Sequence, residues 1–220
     1  MSAHQLTFVE ELLLVGLDDQ TGALLPTPVM GFNYALAGAL IADLALAGRI
    51  DTDLEQLTVL RTEPTGDAML DRALATIKAS PQPQTVSHWL GVFSAQRAEL
   101  ETEGLARLVS HGILRLQEKK ILWVFGTRRY PTVDNQDRTE VKTRLSALIL
   151  GDDIPDPHDA VLISLLTACH LAQHIFTGPA YAARATRLAN LARMDQVGRE
   201  VGSAIDLLTR VLMSMHPMGM

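Results

Sequence analysis

Basic side chains flank a short apolar run near the middle of the chain. Lys119 and Lys120 precede the run Leu122-Trp123-Val124-Phe125, and Arg128 and Arg129 follow it. Basic residues near an anionic leaflet contribute about 1 kcal/mol each to membrane attraction. The pattern therefore predicts contact with an anionic phospholipid or phosphoinositide surface, although a run of charges is also typical of a solvated face.

Two apolar segments predict a β-hairpin that positions these residues. Ile113–Gln117 and Ile121–Phe125 flank the polar residues Glu118-Lys119-Lys120. Because side chains alternate between the two faces of a strand, consecutive apolar residues cannot all be buried on one face. At least one is expected to point outward, unless a loop or helix of the same chain covers that face.

Other residue types that could do chemistry are predicted to be structural. His170 and His174 are four residues apart on a predicted helix, a spacing that is compatible with metal binding. No acidic residue occurs between Val161 and Phe176 to complete a metal site, so no metal is predicted. Acids in the segments 18–19 and 152–156 lie in turns, where aspartate accepts backbone hydrogen bonds.

The sequence lacks the motifs of common enzyme classes. It has no glycine-rich phosphate loop after a strand and no Gly-x-Ser-x-Gly motif. Cys169 is the single cysteine and is predicted to be buried in a helix. We therefore predict a protein that is not an enzyme and needs no cofactor.

Composition predicts one folded domain over residues 1–220. The chain has 47% hydrophobic and 20% charged residues, and its net charge of −6 argues against a nucleic-acid partner. With one cysteine no intrachain disulfide is possible, which suits a reducing compartment. The first residues lack the basic start of a secretory signal. These features predict a cytoplasmic protein.

Helical periodicity dominates the chain and predicts a mainly α fold. An apolar segment, Gly31–Ala47, is hydrophobic on nearly every face, as expected for a central helix, and Leu57–Thr62 suggests a short strand. The other predicted helices are Val9–Leu17, Ala68–Ala79, Val86–Phe93, Ala95–Ser110, Asp137–Leu150, His158–Phe176, Tyr181–Leu191 and Val197–Met213. The prediction is a single-domain helical bundle with a projecting β-hairpin and a frayed tail over residues 214–220.

Several sequence blocks occur in a characteristic order. They are Leu6–Leu14, Ala39–Ile50, Pro64–Leu74, Leu108–Leu114 and Pro155–His158. Their order and separations resemble the Golgi phosphoprotein 3 family over residues 5–176, with C-terminal helices following over residues 180–213. The resemblance implies a peripheral membrane protein that binds phosphatidylinositol 4-phosphate. It also implies a hairpin whose apolar tip inserts into membranes and takes part in self-association.

The family's lipid-binding residues are not retained at the aligned positions. The family uses a tryptophan before the central helix, an arginine in the first turn of that helix and two arginines on the helix before the hairpin. Here these positions are Pro28, Ala37, Ala98 and Glu101. Candidate basic contacts are instead Arg97, Arg115, Lys119, Lys120, Arg128 and Arg129. Arg49 matches a family arginine but could equally interact with the C-terminal dipole of the central helix.

These observations give a primary hypothesis and an alternative. The primary hypothesis is a peripheral membrane adaptor on the cytoplasmic face of a membrane, with hairpin-mediated contact. The alternative is a soluble homo-oligomeric scaffold that uses the same hairpin without lipid. The small size, the absence of a long charged N-terminal tail and the replaced pocket residues predict a bacterial branch of the family.

Overall fold

A computed structural model describes residues 6–19, 21–28, 30–52, 56–118 and 128–214. Only the backbone is described for Glu118, Arg128 and residues 206–214. Within these ranges the chain is mainly helical and contains two short pairs of antiparallel strands. The fold class predicted from the sequence is confirmed.

The elements follow one another with short connections. The helices are α1 (Phe8–Gly16), α2 (Gly31–Leu46), α3 (Ala68–Lys78), α4 (Val86–Ser94), α5 (Arg97–Ser110), α6 (Gln136–Leu150), α7 (Pro157–Ala168), α8 (Ala172–Ile175), α9 (Pro179–Ala183), α10 (Ala185–Leu191) and α11 (Gln196–Ser214). Strands β1 (Ile50–Thr52) and β2 (Leu57–Val59) pair with each other, and so do β3 (Gln117–Glu118) and β4 (Arg128–Arg129).

Helix α2 lies at the centre of the hydrophobic core. All residues from 35 to 44 are buried, and helices α1, α3, α4, α5, α7 and α11 contact it. A helix surrounded in this way has no polar face, which explains its uniformly apolar composition. The prediction that this segment forms the central helix is correct.

Helix α1 packs against α2 and is buried along its whole length. Thr7 and Glu10 form a capping box at its start, each side chain accepting a hydrogen bond from the other residue's backbone N–H. Asp43 of α2 also accepts hydrogen bonds from the backbone N–H groups of Phe8, at 2.9 Å, and Val9, at 3.4 Å. The free amides at the start of α1 are therefore satisfied within the core.

Glycine allows α2, α7 and α11 to approach closely. A Cβ atom at Gly38 of α2 would lie 2.6 Å from Cγ2 of Val201 and 2.8 Å from Cδ2 of Leu165. At Gly198 of α11, a Cβ atom would lie 1.8 Å from Oγ of Ser164. The close packing of these three helices thus depends on the absence of side chains at two positions.

The C-terminal helices are more broken than the sequence predicts. The predicted helix His158–Phe176 is interrupted after Ala168, because His170 adopts a positive φ of 63° and α8 starts only at Ala172. This turn brings Leu171, with no exposed surface, into the core. The predicted helix Tyr181–Leu191 is likewise divided into α9 and α10.

Candidate functional site

Strands β3 and β4 form the described part of the hairpin. Gln117 pairs with Arg129 and Glu118 with Arg128, and an isolated bridge joins Leu114 to Thr132. The prediction paired Ile113–Gln117 with Ile121–Phe125, whereas the observed partner of this arm is the segment 128–132. The difference arises because Arg128 and Arg129 were assigned to the flank of the hairpin rather than to a strand.

The hairpin base is fixed to the body of the protein by backbone hydrogen bonds. Arg115 N–H donates to the Pro131 carbonyl, and Tyr130 N–H donates to the Gly22 carbonyl at 3.0 Å. Gly22 has a φ of +61°, and a Cβ atom there would lie 2.7 Å from the Pro131 nitrogen. Glycine is therefore required at the point where the turn after α1 meets the hairpin.

Cationic and apolar side chains lie side by side at this base. Arg115 is exposed and Arg129 is half-buried, and neither forms an ion pair with a carboxylate in the described ranges. Leu116 is 48% exposed and Val133 is 50% exposed. We call Arg115, Arg129 and Val133, which share one face of the paired segments, the hairpin-base surface, and Leu116 lies on the opposite face.

Several residues that were predicted to contact the membrane lie outside the part of the chain that the structure describes. Lys119, Lys120, Leu122, Trp123, Val124 and Phe125 lie outside the described residues, and Arg128 is described by its backbone alone. Their predicted roles stay predictions. The structure brings together Arg115 and Arg129 of the predicted set, whereas Arg97 lies at the start of α5.

Two ion-pair clusters around α1 were missed by the sequence analysis. On one side, Arg107 of α5 forms ion pairs with Glu10 and with Asp67, the N-cap of α3. Burial raises the pKa of Asp67, but the hydrogen bonds from Arg107 and from backbone amides outweigh it and lower that pKa below its usual range. The cluster joins three helices that are distant in sequence.

The second cluster is centred on Glu11. Arg144 of α6 donates to Glu11 Oε1 at 3.0 Å and to Asp159 Oδ1 at 2.7 Å. His158 stacks on Phe8 with ring centroids 4.4 Å apart. Burial lowers the pKa of His158, but Asp159 and Glu11 raise it above its ordinary value. Acidic residues inside an apolar helix were the available signal for both clusters, which connect α1 to neighbouring helices.

The predicted turn and cap residues have structural roles. Asp67 accepts hydrogen bonds from the backbone N–H groups of Met69 and Leu70, as the sequence predicts for a helix cap. Arg49 donates to the carbonyls of Ala47, Glu63 and Pro64, so it caps the end of α2 and holds the following loop.

The histidine pair does not have the predicted helical spacing. His170 lies in the break between α7 and α8 and His174 lies in α8, so they do not share one face of a helix. In the part of the chain that the structure describes, no group of three or more potential ligands could hold a metal ion. Burial raises the pKa of the Cys169 thiol to about 12, which disfavours the reactive thiolate.

Sequence comparison matches the same chain to a protein family over most of its length. A model of the family described as Golgi phosphoprotein 3 (GPP34) matches residues 8–208. The chain belongs to the Golgi phosphoprotein 3 family. The match includes α11 up to residue 208 and so extends beyond the resemblance at residues 5–176.

A relative of this Golgi phosphoprotein 3 family member supports the assignment. The chain is 31% identical over 170 residues to the Vacuolar protein sorting-associated protein 74 of Eremothecium gossypii. The alignment covers 68% of this chain and 50% of the relative, so the chain spans about half the length of the relative it matches. Among the described residues, no helix is long and apolar enough to cross a membrane.

At the four positions that the predicted alignment assigns to the family's headgroup residues, this Golgi phosphoprotein 3 family member carries no cationic side chain. Ala37 has no exposed surface, and Pro28 and Ala98 carry no donor side chain. Glu101 forms an ion pair with Arg97, and Arg97 Nη2 lies 2.9 Å from Glu101 Oε2. The charge of Arg97 is therefore neutralised by Glu101, which occupies one of these four positions.

Proposed function

We propose that this protein is a peripheral membrane adaptor that contacts an anionic membrane surface through its hairpin. The observation that carries the proposal is the hairpin-base surface, where Arg115 and Arg129 have no carboxylate partner among the described residues and share a strand face with exposed Val133. Basic residues attract anionic lipid, and apolar side chains enter the boundary between headgroups and acyl chains. Trp123 and Phe125 are the proposed inserting residues.

The proposed contact is selective for negative charge and not for one phosphoinositide. Recognition of a monophosphorylated inositol needs several charge-assisted donors in one pocket. Pro28, Ala37 and Ala98 supply no such donors, and Glu101 would repel the phosphate. We therefore propose that the protein keeps the adaptor role implied by family membership. It attaches to the membrane through its hairpin and the adjacent basic residues and not through a headgroup pocket.

Several further assignments belong to this proposal. We propose a single domain acting at the cytoplasmic face of a membrane, without catalytic activity, cofactor or nucleic-acid partner. The assignment to a bacterial branch stays a prediction. The relative in Eremothecium gossypii is named for vacuolar protein sorting, which is consistent with work at a membrane.

Co-sedimentation with vesicles of phosphatidylcholine, with and without phosphatidylglycerol, tests the membrane contact. Because each buried aromatic side chain contributes a few kcal/mol, the double variant Trp123→Ser/Phe125→Ser should weaken binding to the anionic vesicles roughly 100-fold. The matched control is Ile154→Ser/Met194→Ser, which removes two exposed apolar residues far from the hairpin in sequence. Equal binding by the double variant and the control would contradict the proposal.

A variant that lacks one basic side chain tests the electrostatic part of the membrane contact. Arg115→Gln should weaken binding about fivefold at low salt, since one basic residue contributes about 1 kcal/mol. Arg61→Gln removes an exposed arginine elsewhere and should leave binding unchanged. Loss of binding in both variants would show that net charge alone controls the attachment.

The second candidate function is a homo-oligomeric scaffold that uses the same hairpin. The exposed Leu116 and Val133 favour it, because exposed apolar side chains on both faces of the hairpin base are typical of protein interfaces as well as membrane contacts. Light scattering of the Trp123→Ser/Phe125→Ser variant separates the two functions. Loss of self-association without loss of vesicle binding would favour the scaffold.

A further inference from the structure

Four titratable or charged side chains from three helices meet beside α1. Glu11 lies on α1, Arg144 on α6, and His158 and Asp159 on α7, and we call these residues the Glu11 cluster. The two carboxyl side chains are each 6% exposed, and both accept hydrogen bonds from the Arg144 guanidinium. The cluster therefore has one net negative charge when His158 is neutral, and a negative charge is costly at nearly buried groups.

The imidazole ring of His158 lies between the two carboxylates. Its Nε2 lies 3.5 Å from Glu11 Oε2, and its Nδ1 lies 3.9 Å from Asp159 Oδ1. A neutral imidazole carries a proton on one nitrogen, so the other nitrogen turns a lone pair toward a carboxylate. The imidazolium carries a proton on both nitrogens and is attracted by both carboxylates. The position of the ring therefore favours its protonated form.

Two further contacts of the cluster favour a charged ring. Glu11 Oε2 is buried and accepts no hydrogen bond within the described ranges, although His158 Nε2 lies beside it. The His158 ring also stacks on Phe8, with 21° between the ring planes. A cation close to the face of an aromatic ring is attracted by the negative charge of that face. Both the carboxylate and the aromatic ring thus stabilise the imidazolium.

The charged groups that face His158 come from each side of the cluster. They are Glu11 from α1, Arg144 from α6 and Asp159 from α7 itself. Burial lowers the pKa of His158, but Asp159 and Glu11 raise it above its ordinary value of 6.5, although Arg144 opposes them. The balance of these charges agrees with the geometry of the ring.

We propose that His158 is a pH-sensitive switch in the contact between α7 and α1. When the ring is protonated, the charges of the Glu11 cluster cancel and α7 is held against α1. As pH rises, the ring releases its proton to solvent through its exposed part, and the cluster keeps one net negative charge. The contact is then weaker and α7 opens more readily. This inference does not depend on the proposed membrane contact of the hairpin.

A titration of the His158 ring in the full chain, followed by nuclear magnetic resonance, tests where the proton is held. The midpoint in the wild type should lie above 6.5. Glu11→Gln removes one of the two carboxylates and should shift the midpoint to lower pH. Glu63→Gln removes an exposed carboxylate outside the cluster and should leave the midpoint unchanged. A wild-type midpoint at or below 6.5, or no shift in Glu11→Gln, would overturn the proposal.

A second variant makes the same test if Glu11→Gln is not folded by circular dichroism. Asp159→Asn removes the carboxylate that faces the other ring nitrogen, and it should also shift the His158 midpoint to lower pH. An unchanged midpoint in the folded variant would overturn the proposal.

The stability of the protein should follow the same proton. Below 6.5 the folded and unfolded states both hold the histidine proton, so the contribution of His158 is fully present, and it is lost as pH rises through the higher pKa of the folded state. His158→Gln has no such titration, so the urea midpoint of the wild type relative to this variant should fall as pH rises above 6.5. His174→Gln, at an exposed position of α8, should keep the pH dependence of the wild type. A constant difference between wild type and His158→Gln would overturn the proposal.

Amide hydrogen exchange, corrected for intrinsic rates, tests whether the proton controls the helix contact. In the wild type, α7 should lose protection relative to α4 as pH rises above 6.5, because its contact with α1 weakens. In His158→Gln the protection of α7 relative to α4 should not change with pH. The same pH response of α7 in both proteins would overturn the switch, even if the midpoint of the ring is raised.

Discussion

The surroundings of α2 and the hairpin base use their residues in opposite ways. At the positions aligned with the family's headgroup residues, Ala37 is enclosed in the core and Glu101 is paired with Arg97. At the hairpin base, Arg115 is exposed on the same face as exposed Val133 and has no carboxylate partner in the part of the chain that is described. The residues around α2 pack in the core, whereas the hairpin base presents basic and apolar side chains together.

If the proposed hairpin anchor is correct, this fold does not require the family's headgroup chemistry for membrane contact. The capping of α1 by Asp43, the helix cap at Asp67 and the buried α2 build the helical body without any headgroup ligand. Because a binding site is a set of side chains placed on a fold, family membership fixes the scaffold more strongly than the ligand. The comparison makes definite predictions for the two regions.

The largest effect is expected when the family's arginine is returned to α2. Ala37→Arg places an unpaired cation where no surface is exposed, so it should lower the free energy of unfolding by about 4 kcal/mol or more. Ala98→Arg, on an exposed position of α5, should change it by less than about 0.5 kcal/mol. Urea denaturation measures both, and an unchanged midpoint for Ala37→Arg would show that an arginine pocket can still open there.

A smaller effect is expected where α11 covers α2. Gly38→Ala would place its Cβ 2.6 Å from Val201 and should destabilise the protein by about 1–3 kcal/mol through overpacking. Gly91→Ala is the matched control in α4, since a Cβ there meets no atom within 4 Å. The control should stabilise the protein by about 0.5–1 kcal/mol. If both substitutions stabilise the protein, the contact between α2 and α11 is looser than the structure indicates.

The sequence predicted the body of the fold well because its signals are local. Uniform hydrophobicity located α2, and helical periodicity located α3 and α4, whose starts are capped by Asp67 and Thr85. The break after Ala168 could not be predicted, since it depends on the burial of Leu171 in the core and has no proline or glycine signal.

The site was predicted less completely for a related reason. Arg115 and Arg129 were identified from charge next to apolar runs, but their relative position depends on strand pairing with the segment 128–132. The role of His158 depends on contacts with Phe8 and Glu11, more than a hundred residues away in sequence. Long-range contacts of this kind leave no periodic pattern in a single sequence.

A pH-dependent effect is expected at the other end of α2. Burial raises the pKa of Asp43 from 3.8 to about 7, although hydrogen bonds from Phe8 and Val9 oppose the change. Between these pH values the folded state keeps a proton on Asp43 that the unfolded state releases, so the contribution of Asp43 to stability falls as pH rises from about 4 to 7.

Asp43→Asn removes this titration. The stability of the variant relative to wild type should therefore improve as pH rises through that window, by at least about tenfold in the unfolding constant. Urea midpoints of both proteins at several pH values measure the change. Asp51→Asn, at an exposed residue of β1, is the control and should leave the pH dependence as it is in wild type. Parallel curves for Asp43→Asn and wild type would show that Asp43 is more hydrated than its contacts indicate.

Vesicle co-sedimentation at equal total negative charge tests the central claim most directly. It compares neutral vesicles, vesicles with phosphatidylglycerol and vesicles with phosphatidylinositol 4-phosphate. If the hairpin and its basic residues attach the protein to the membrane, it should bind weakly to the neutral vesicles and equally to the two anionic kinds. A clear preference for phosphatidylinositol 4-phosphate would contradict the account and would require a headgroup pocket despite Pro28, Ala37, Ala98 and Glu101.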